Sequence, residues 1–132
     1  MIKQIQSLQV ILFVSNQQVS CEFYKKLFRT EPILDVPGMT EFQLFNNCKL
    51  GLMPNKGIAK ILDKHTPHPD DGQGIPRCEL YIHVDNLQKE FDHALALGAQ
   101  LISPISPRDW GDNAGYVADP DMHIIAFAEK QI

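Results

Sequence analysis

Apolar positions along the chain fall into short β-branched runs and longer stripes at helical spacing, and the order of the two kinds repeats. Val10-Ile11-Leu12-Phe13-Val14 is too short for a helix and is followed by Ser15-Asn16, a helix N-cap pair. Val19, Phe23, Tyr24, Leu27 and Phe28 then recur at helical spacing, and Ser15 with Gln18 has the spacing of a capping box. Pro32 to Val36, Thr40 to Phe45 and Lys49 to Met53 read as three strands, separated by the turn dipeptides Pro37-Gly38 and Asn46-Asn47. In the second half Leu80-Tyr81-Ile82-His83-Val84 is again a strand, and Asp85-Asn86 again a cap. Leu87, Phe91, Ala94 and Leu95 form the stripe, and Gly98 is a natural helix stop. Ala99 to Ile102, Ala114 to Ala118 and His123 to Ala128 are the remaining strands. The pattern predicts an α+β chain built from two βαβββ modules.

The proline- and glycine-rich stretch between them resists both helix and sheet, apart from one turn's worth of helix at Ile58 to Leu62. The expected layout is a single domain over residues 1–132, with modules at 1–53 and 77–132 and a linker loop at 54–76.

Alternation assigns the faces of the two leading strands. Val10, Leu12 and Val14 cover one helix, and Leu80, Ile82 and Val84 the other. Gln9, Ile11 and Phe13, with Glu79, Tyr81 and His83, point the opposite way. That face mixes aromatic with polar groups, the composition of a ligand pocket; a dimer interface is the alternative reading.

Charge and cysteine content narrow the partners. Twelve basic and sixteen acidic side chains give a formal charge of −4 with no basic cluster, so nucleic acid is not expected. The N-terminal segment lacks the long apolar run of a signal or membrane span, which predicts a cytoplasmic protein without a membrane partner. Cys21, Cys48 and Cys78 are too widely spaced for a metal knuckle and odd in number, which suits a reducing compartment.

Other chemistry-bearing residues are scattered. His65 to Asp71 is dense in metal donors, but Pro67 and Pro69 hold the backbone extended, so a solvated loop is expected. His93 and His123 are expected at the surface. Trp110, flanked by Arg108, Asp109 and Asp112, is either an aromatic recognition platform or a core plug. Tyr81 and Tyr116 add stacking surface with hydroxyl handles, and Asp119-Pro120-Asp121 reads as a structural turn.

Several of these segments resemble a known family. The paired strand-cap-helix openings, Cys21-Glu22-Phe23-Tyr24-Lys25-Lys26-Leu27-Phe28, Leu97-Gly98-Ala99, and Trp110-Gly111-Asp112 followed by Tyr116-Val117-Ala118-Asp119-Pro120-Asp121 resemble the vicinal oxygen chelate superfamily. That superfamily contains glyoxalases, bleomycin-resistance proteins and extradiol dioxygenases, and the likeness covers nearly all of the chain outside the linker. It implies paired modules whose curved mixed sheet surrounds a cup, assembled as a homodimer. Metal-using members carry a ligand near the start of each leading strand and another on each closing strand. Carried over by position, these fall on Gln9, Glu79, Gly51 and Ala126. Gly51 and Ala126 have no donor side chain, so no catalytic metal and no cofactor are expected there. The expected ligand-binding set is Gln9, Phe13, Met53, Glu79, Tyr81, His83, Arg108, Trp110 and Tyr116. The leading functional reading is a small-molecule binding protein of the bleomycin-resistance kind. The alternatives are a glyoxalase- or dioxygenase-type enzyme using a metal site displaced to Glu79, His83 and linker donors, and a structural module whose cup is filled by its own side chains.

Overall fold

The structure, a computed structural model, describes residues 2–132. It divides into two compact units, the first ending at Gly72 and the second running Gln73–Ile132. The first contains β1 (Leu8–Val14), α1 (Gln17–Phe28), β2 (Leu34–Val36), β3 (Met39–Phe45), β4 (Cys48–Pro54) and α2 (Asn55–Leu62). The second contains β5 (Glu79–His83), α3 (Leu87–Ala96), β6 (Gln100–Pro107), β7 (Asp112–Ala118) and β8 (Ile124–Lys130). Each unit holds one four-stranded mixed sheet, ordered β1-β4-β3-β2 and β5-β8-β7-β6. The leading and closing strands pair in parallel, and the other pairs are antiparallel. The predicted βαβββ repeat is therefore present with one topology used twice. No helix among the described residues is long and apolar enough to cross a membrane.

The local signals act as expected at the helix starts and turns. Asn16 and Asn86 sit in extended backbone, and their side chains accept from Val19 N and Lys89 N at 3.0 and 3.1 Å. Asn16, rather than Ser15, is thus the first helix's N-cap. Gly38, between β2 and β3, and Gly98, after α3, adopt positive φ values of 97° and 96°, which a side chain would oppose.

α1 and α3 each bury an apolar stripe on the sheet of their own unit. Phe23, Tyr24 and Leu27 of α1 are buried, as are Leu12, Val14, Phe42, Leu50 and Leu52 of the strands. In the second unit Leu87, Phe91 and Ala94 of α3 are buried along with Val117, Ile125 and Phe127. Gly115 lies directly beneath Phe91: a Cβ there would stand 2.5 Å from the ring, so only glycine permits this approach.

Most strand boundaries shift by one or two residues from the sequence expectation, and the differences at the linker, β6 and β2 have structural reasons or consequences. The segment 54–76 is not a plain loop: α2 spans eight residues and 3₁₀ turns follow at Asp63–His65 and Pro69–Gly72. Its first turn tolerates Pro54 because that residue stands at the N-cap, where no intrahelical donor is needed. β6 runs on to Pro107, past the expected Ile102, because an edge strand has one side free of hydrogen-bonding partners and accommodates prolines through register shifts. β2 begins at Leu34, two residues later than expected.

Candidate functional site

Side chains from β5, β7 and the turn between β6 and β7 converge on the face of the second sheet opposite α3. Tyr81 and His83 leave β5 on that face, in register with Ala126 and Ala128 of β8, and Tyr116 of β7 also lies beside Ala126. Ala114, Ala126 and Ala128 provide a floor of methyl groups, so the rings stand above short side chains. The β6–β7 turn closes with Arg108 N donating to Asp112 O at 2.8 Å, and positive φ at Gly111 carries the chain round. Trp110, in this turn, is 60% exposed, which excludes the core-plug alternative.

A continuous hydrogen-bonded series links these groups. Trp110 Nε1 donates to the Tyr81 hydroxyl at 2.8 Å, and that hydroxyl donates to Asp112 Oδ2 at 2.6 Å. The same carboxylate oxygen lies 3.1 Å from His83 Nε2. The Tyr81 ring packs edge-on to His83 at 5.4 Å and tilted to Trp110 at 6.5 Å. The Tyr81 hydrogen bond, reinforced by His83 and Lys130, holds the Asp112 carboxyl below its ordinary range although burial acts against this. Burial raises Tyr81, and its bond to Asp112 adds to the shift.

A depressed carboxyl stabilises the fold above its unfolded pKa, and that contribution disappears as pH falls through the folded value. Tyr81→Phe removes the largest cause of the depression. In urea unfolding, the variant is expected to be less stable than wild type at pH 7, and the gap is expected to narrow below about pH 4, where Asp112 protonates in both.

Arg108 is largely engaged in bracing. It donates to Ser103 Oγ, Pro104 O and Ala114 O, with its guanidinium 5.0 Å from the centre of the Tyr116 ring. It therefore fastens the edge strand β6 to β7 and fixes Tyr116. Glu79 stands exposed at the far end of β5, opposite Ile124, so His83 finds its partner in Asp112 rather than in Glu79.

The first unit holds the rest of the expected set. Gln9 Nε2 donates to Glu41 Oε2 at 2.8 Å, and Lys49 Nζ lies 3.1 Å from Glu41 Oε1. Gln9's hydrogen bond is the main cause of a lowered Glu41 carboxyl. Phe13 and Met53 are register partners, separated from the Gln9–Lys49 pair by the Ile11–Gly51 pair on the same face. A Cβ built on Gly51 would stand 2.6 Å from Gln9 Nε2, so the amide occupies the space into which a closing-strand ligand would project. Ala126 offers no donor at the equivalent place, and among the described residues no three His, Cys, Asp or Glu side chains are grouped to hold an ion. The residues present do not fit a metal centre built on those positions.

Asp112, Glu41 and Lys49 were missed as site residues. For Asp112 the signal was its place two residues after an exposed tryptophan; for Glu41 and Lys49 nothing local distinguishes them from ordinary surface charges. His123 corrects the expectation of a surface residue: it is 2% exposed, held by Asp119 Oδ2 at 2.8 Å and contacted by Arg77. The Asp119-Pro120-Asp121 turn is structural, as predicted, with Asp119 Oδ1 accepting from Asp121 N and His123 N. His65 to Asp71 is mostly exposed, with Asp70 taking a hydrogen bond from Asn55 of α2.

Residues 8–131 match the glyoxalase-like domain. The chain belongs to that family. An uncharacterized protein of Mycobacterium bovis is 25% identical over 115 residues, 85% of this glyoxalase-like chain and 75% of the relative. A glyoxalase-related enzyme from Fulvimarina pelagi superposes with a TM-score of 0.76 at 23% identity, covering 93% of this chain and 86% of that one. A glyoxalase/bleomycin resistance protein/dioxygenase family enzyme from Burkholderia phytofirmans gives 0.78 at 16% identity, covering 93% and 97%. At these identities the two structures establish the shared fold. The sequence resemblance to the vicinal oxygen chelate superfamily is thereby shown.

Proposed function

We propose that this glyoxalase-like domain binds a small planar or cationic ligand on the aromatic-polar face of its second sheet, without a catalytic metal at the family position. The supporting observation is Trp110: a large ring left mostly in solvent, yet restrained by its hydrogen bond to Tyr81. Restraint before binding reduces the ordering cost of stacking a ligand on it. Asp112, kept ionised, supplies a fixed negative charge behind the rings, and Tyr116 offers a second stacking surface. A planar cation is matched to that arrangement by ring faces and charge together. Gln9 with Glu41 provides polar anchoring of the same chemical kind on the first unit's sheet. Sequestration of a toxic or antibiotic-like compound is the role consistent with such a site. The homodimer implied by the family remains part of this proposal, to be checked by light scattering.

The test is a thermal-shift screen of planar cations and apolar aromatics against the full chain. At a concentration 100-fold above the dissociation constant, a binder is expected to stabilise wild type by about 2.7 kcal/mol. Trp110→Ala is expected to weaken that binder by about 1–2 kcal/mol. Absence of any stabilising compound at saturating concentrations overturns the reading. Calorimetric titration with zinc or manganese addresses the metal: stoichiometric binding heat, abolished by Glu79→Gln, would restore the displaced-metal enzyme in its place.

A further inference from the structure

We propose that Trp110 and Tyr81 form a radical relay: the exposed indole gives an electron to an organic peroxyl radical, and Tyr81 refills it while passing its proton to Asp112. An unbroken series from solvent to carboxylate carries this. Trp110 is mostly exposed, its Nε1 donates to the Tyr81 oxygen at 2.8 Å, and that hydroxyl donates to Asp112 Oδ2 at 2.6 Å. The two ring centroids are 6.5 Å apart. The activity is separate from ligand stacking, needs no cavity, and uses only contacts inside the second unit.

Indole and phenol rings give up one electron more readily than the other aromatic side chains. A phenol does so only when its proton leaves as well, because the oxidised phenol is a strong acid. Tyr81 has the acceptor already in place. Burial raises its hydroxyl and keeps it protonated at rest, while the hydrogen bond it donates keeps Asp112 ionised. Even a carboxylate of lowered basicity takes a proton from an oxidised phenol.

Charge selects Tyr81 among the three tyrosines. Tyr24 is fully buried in the first unit, and Tyr116 has the Arg108 guanidinium 5.0 Å from its ring centre. A positive charge beside a ring opposes loss of an electron from it, and a carboxylate beside a ring favours that loss. In the step itself, the peroxyl radical takes one electron from Trp110 and one proton from water, becoming a hydroperoxide. Tyr81 returns an electron to the indole as its hydroxyl proton crosses to Asp112 Oδ2, which leaves a neutral phenoxyl radical and an intact tryptophan. Asp112 then releases the proton to the hydroxide left in solvent. One peroxyl radical and one phenol have become one hydroperoxide and one phenoxyl radical, so each chain intercepts a single radical.

The relay is tested by pulse radiolysis of the full chain with azidyl radicals, which oxidise indole in preference to phenol at neutral pH. Trp110 is the chain's only tryptophan, so the indole-radical absorption reports on it alone. In wild type that absorption is expected to decay as phenoxyl absorption rises, at a shared rate that is independent of protein concentration and slower in heavy water. Asp112→Asn, which removes the proton acceptor, is expected to slow the step about 100-fold. Tyr81→Phe is expected to abolish the matched phenoxyl rise. A wild-type rate proportional to protein concentration overturns the proposal, as does an unslowed step in Asp112→Asn or a matched rise that survives in Tyr81→Phe. The heavy-water comparison needs no substitution, so equal wild-type rates in the two solvents overturn it even where a variant fails to fold. With peroxyl radicals from a decomposing azo initiator, mass spectrometry is expected to find Trp110 lost faster in Tyr81→Phe than in wild type; equal loss overturns the peroxyl assignment. None of these measurements uses a bound ligand, so failure of the ligand screen leaves them unaffected.

Discussion

Asp119→Ala is expected to destabilise the second unit by about 3–5 kcal/mol, read as a fall in the midpoint of urea unfolding. Its side chain is fully buried, and its oxygens receive Asp121 N and His123 N at 2.9 Å each and face His123 Nδ1 at 2.8 Å. Arg77 Nη2 lies 3.0 Å from His123 Nε2 and also donates to Asp121 O. Because Arg77 can only donate, Nε2 is the acceptor and the ring's proton sits on Nδ1, directed at Asp119. Truncation therefore orphans three donors at once in a site closed to water, the costly case for buried polar groups. Asp119→Asn is expected to fall between the two, since its amide oxygen can still serve the backbone donors while its nitrogen opposes Nδ1–H. A loss of less than about 1 kcal/mol for the alanine variant would show that water enters and satisfies the turn.

Phe42→Ala is expected to cost the first unit about 3–5 kcal/mol by the same measurement. Phe42 is completely buried on the α1 side of β3, with Phe28 meeting it edge to face at 6.4 Å between centroids. Its neighbours Leu50 and Leu52 belong to a strand paired on both sides, so the backbone there cannot readily collapse into the void. Phe42→Leu, which leaves a smaller cavity, is expected to recover part of the loss.

Much of this architecture was legible because it depends on near neighbours in the chain. The alternation of Val10, Leu12 and Val14 marked the helix-covered face, and Asn16 and Asn86 act as caps through contacts three residues away. Gly38, Asn47 and Gly98 adopt the positive φ that their turn positions called for. Where the reading failed, distant packing overrode local preference. Residues 55–62 form a helix despite flanking prolines and an internal glycine, and Asn55 is buried and bonded to Asp70. His123 looked like an ordinary polar residue until Asp119 and Arg77 enclosed it.

The candidate site divides the same way. Tyr81, His83, Trp110 and Tyr116 were marked by residue type and strand face, but their linkage was not, because Asp112 reaches them only through the pairing of β5 with β8 and of β8 with β7. Sequence alone determined the repeated module and its faces, since backbone periodicity, capping and turn chemistry act within a few residues, while its motifs carried only a resemblance to the family that the match over residues 8–131 then showed. Only the tertiary structure decided that Asp112 holds His83, that Gln9 fills the space above Gly51, and that Gly115 admits Phe91. Each of those depends on strand register and side-chain packing between segments far apart in the chain, which no local pattern encodes.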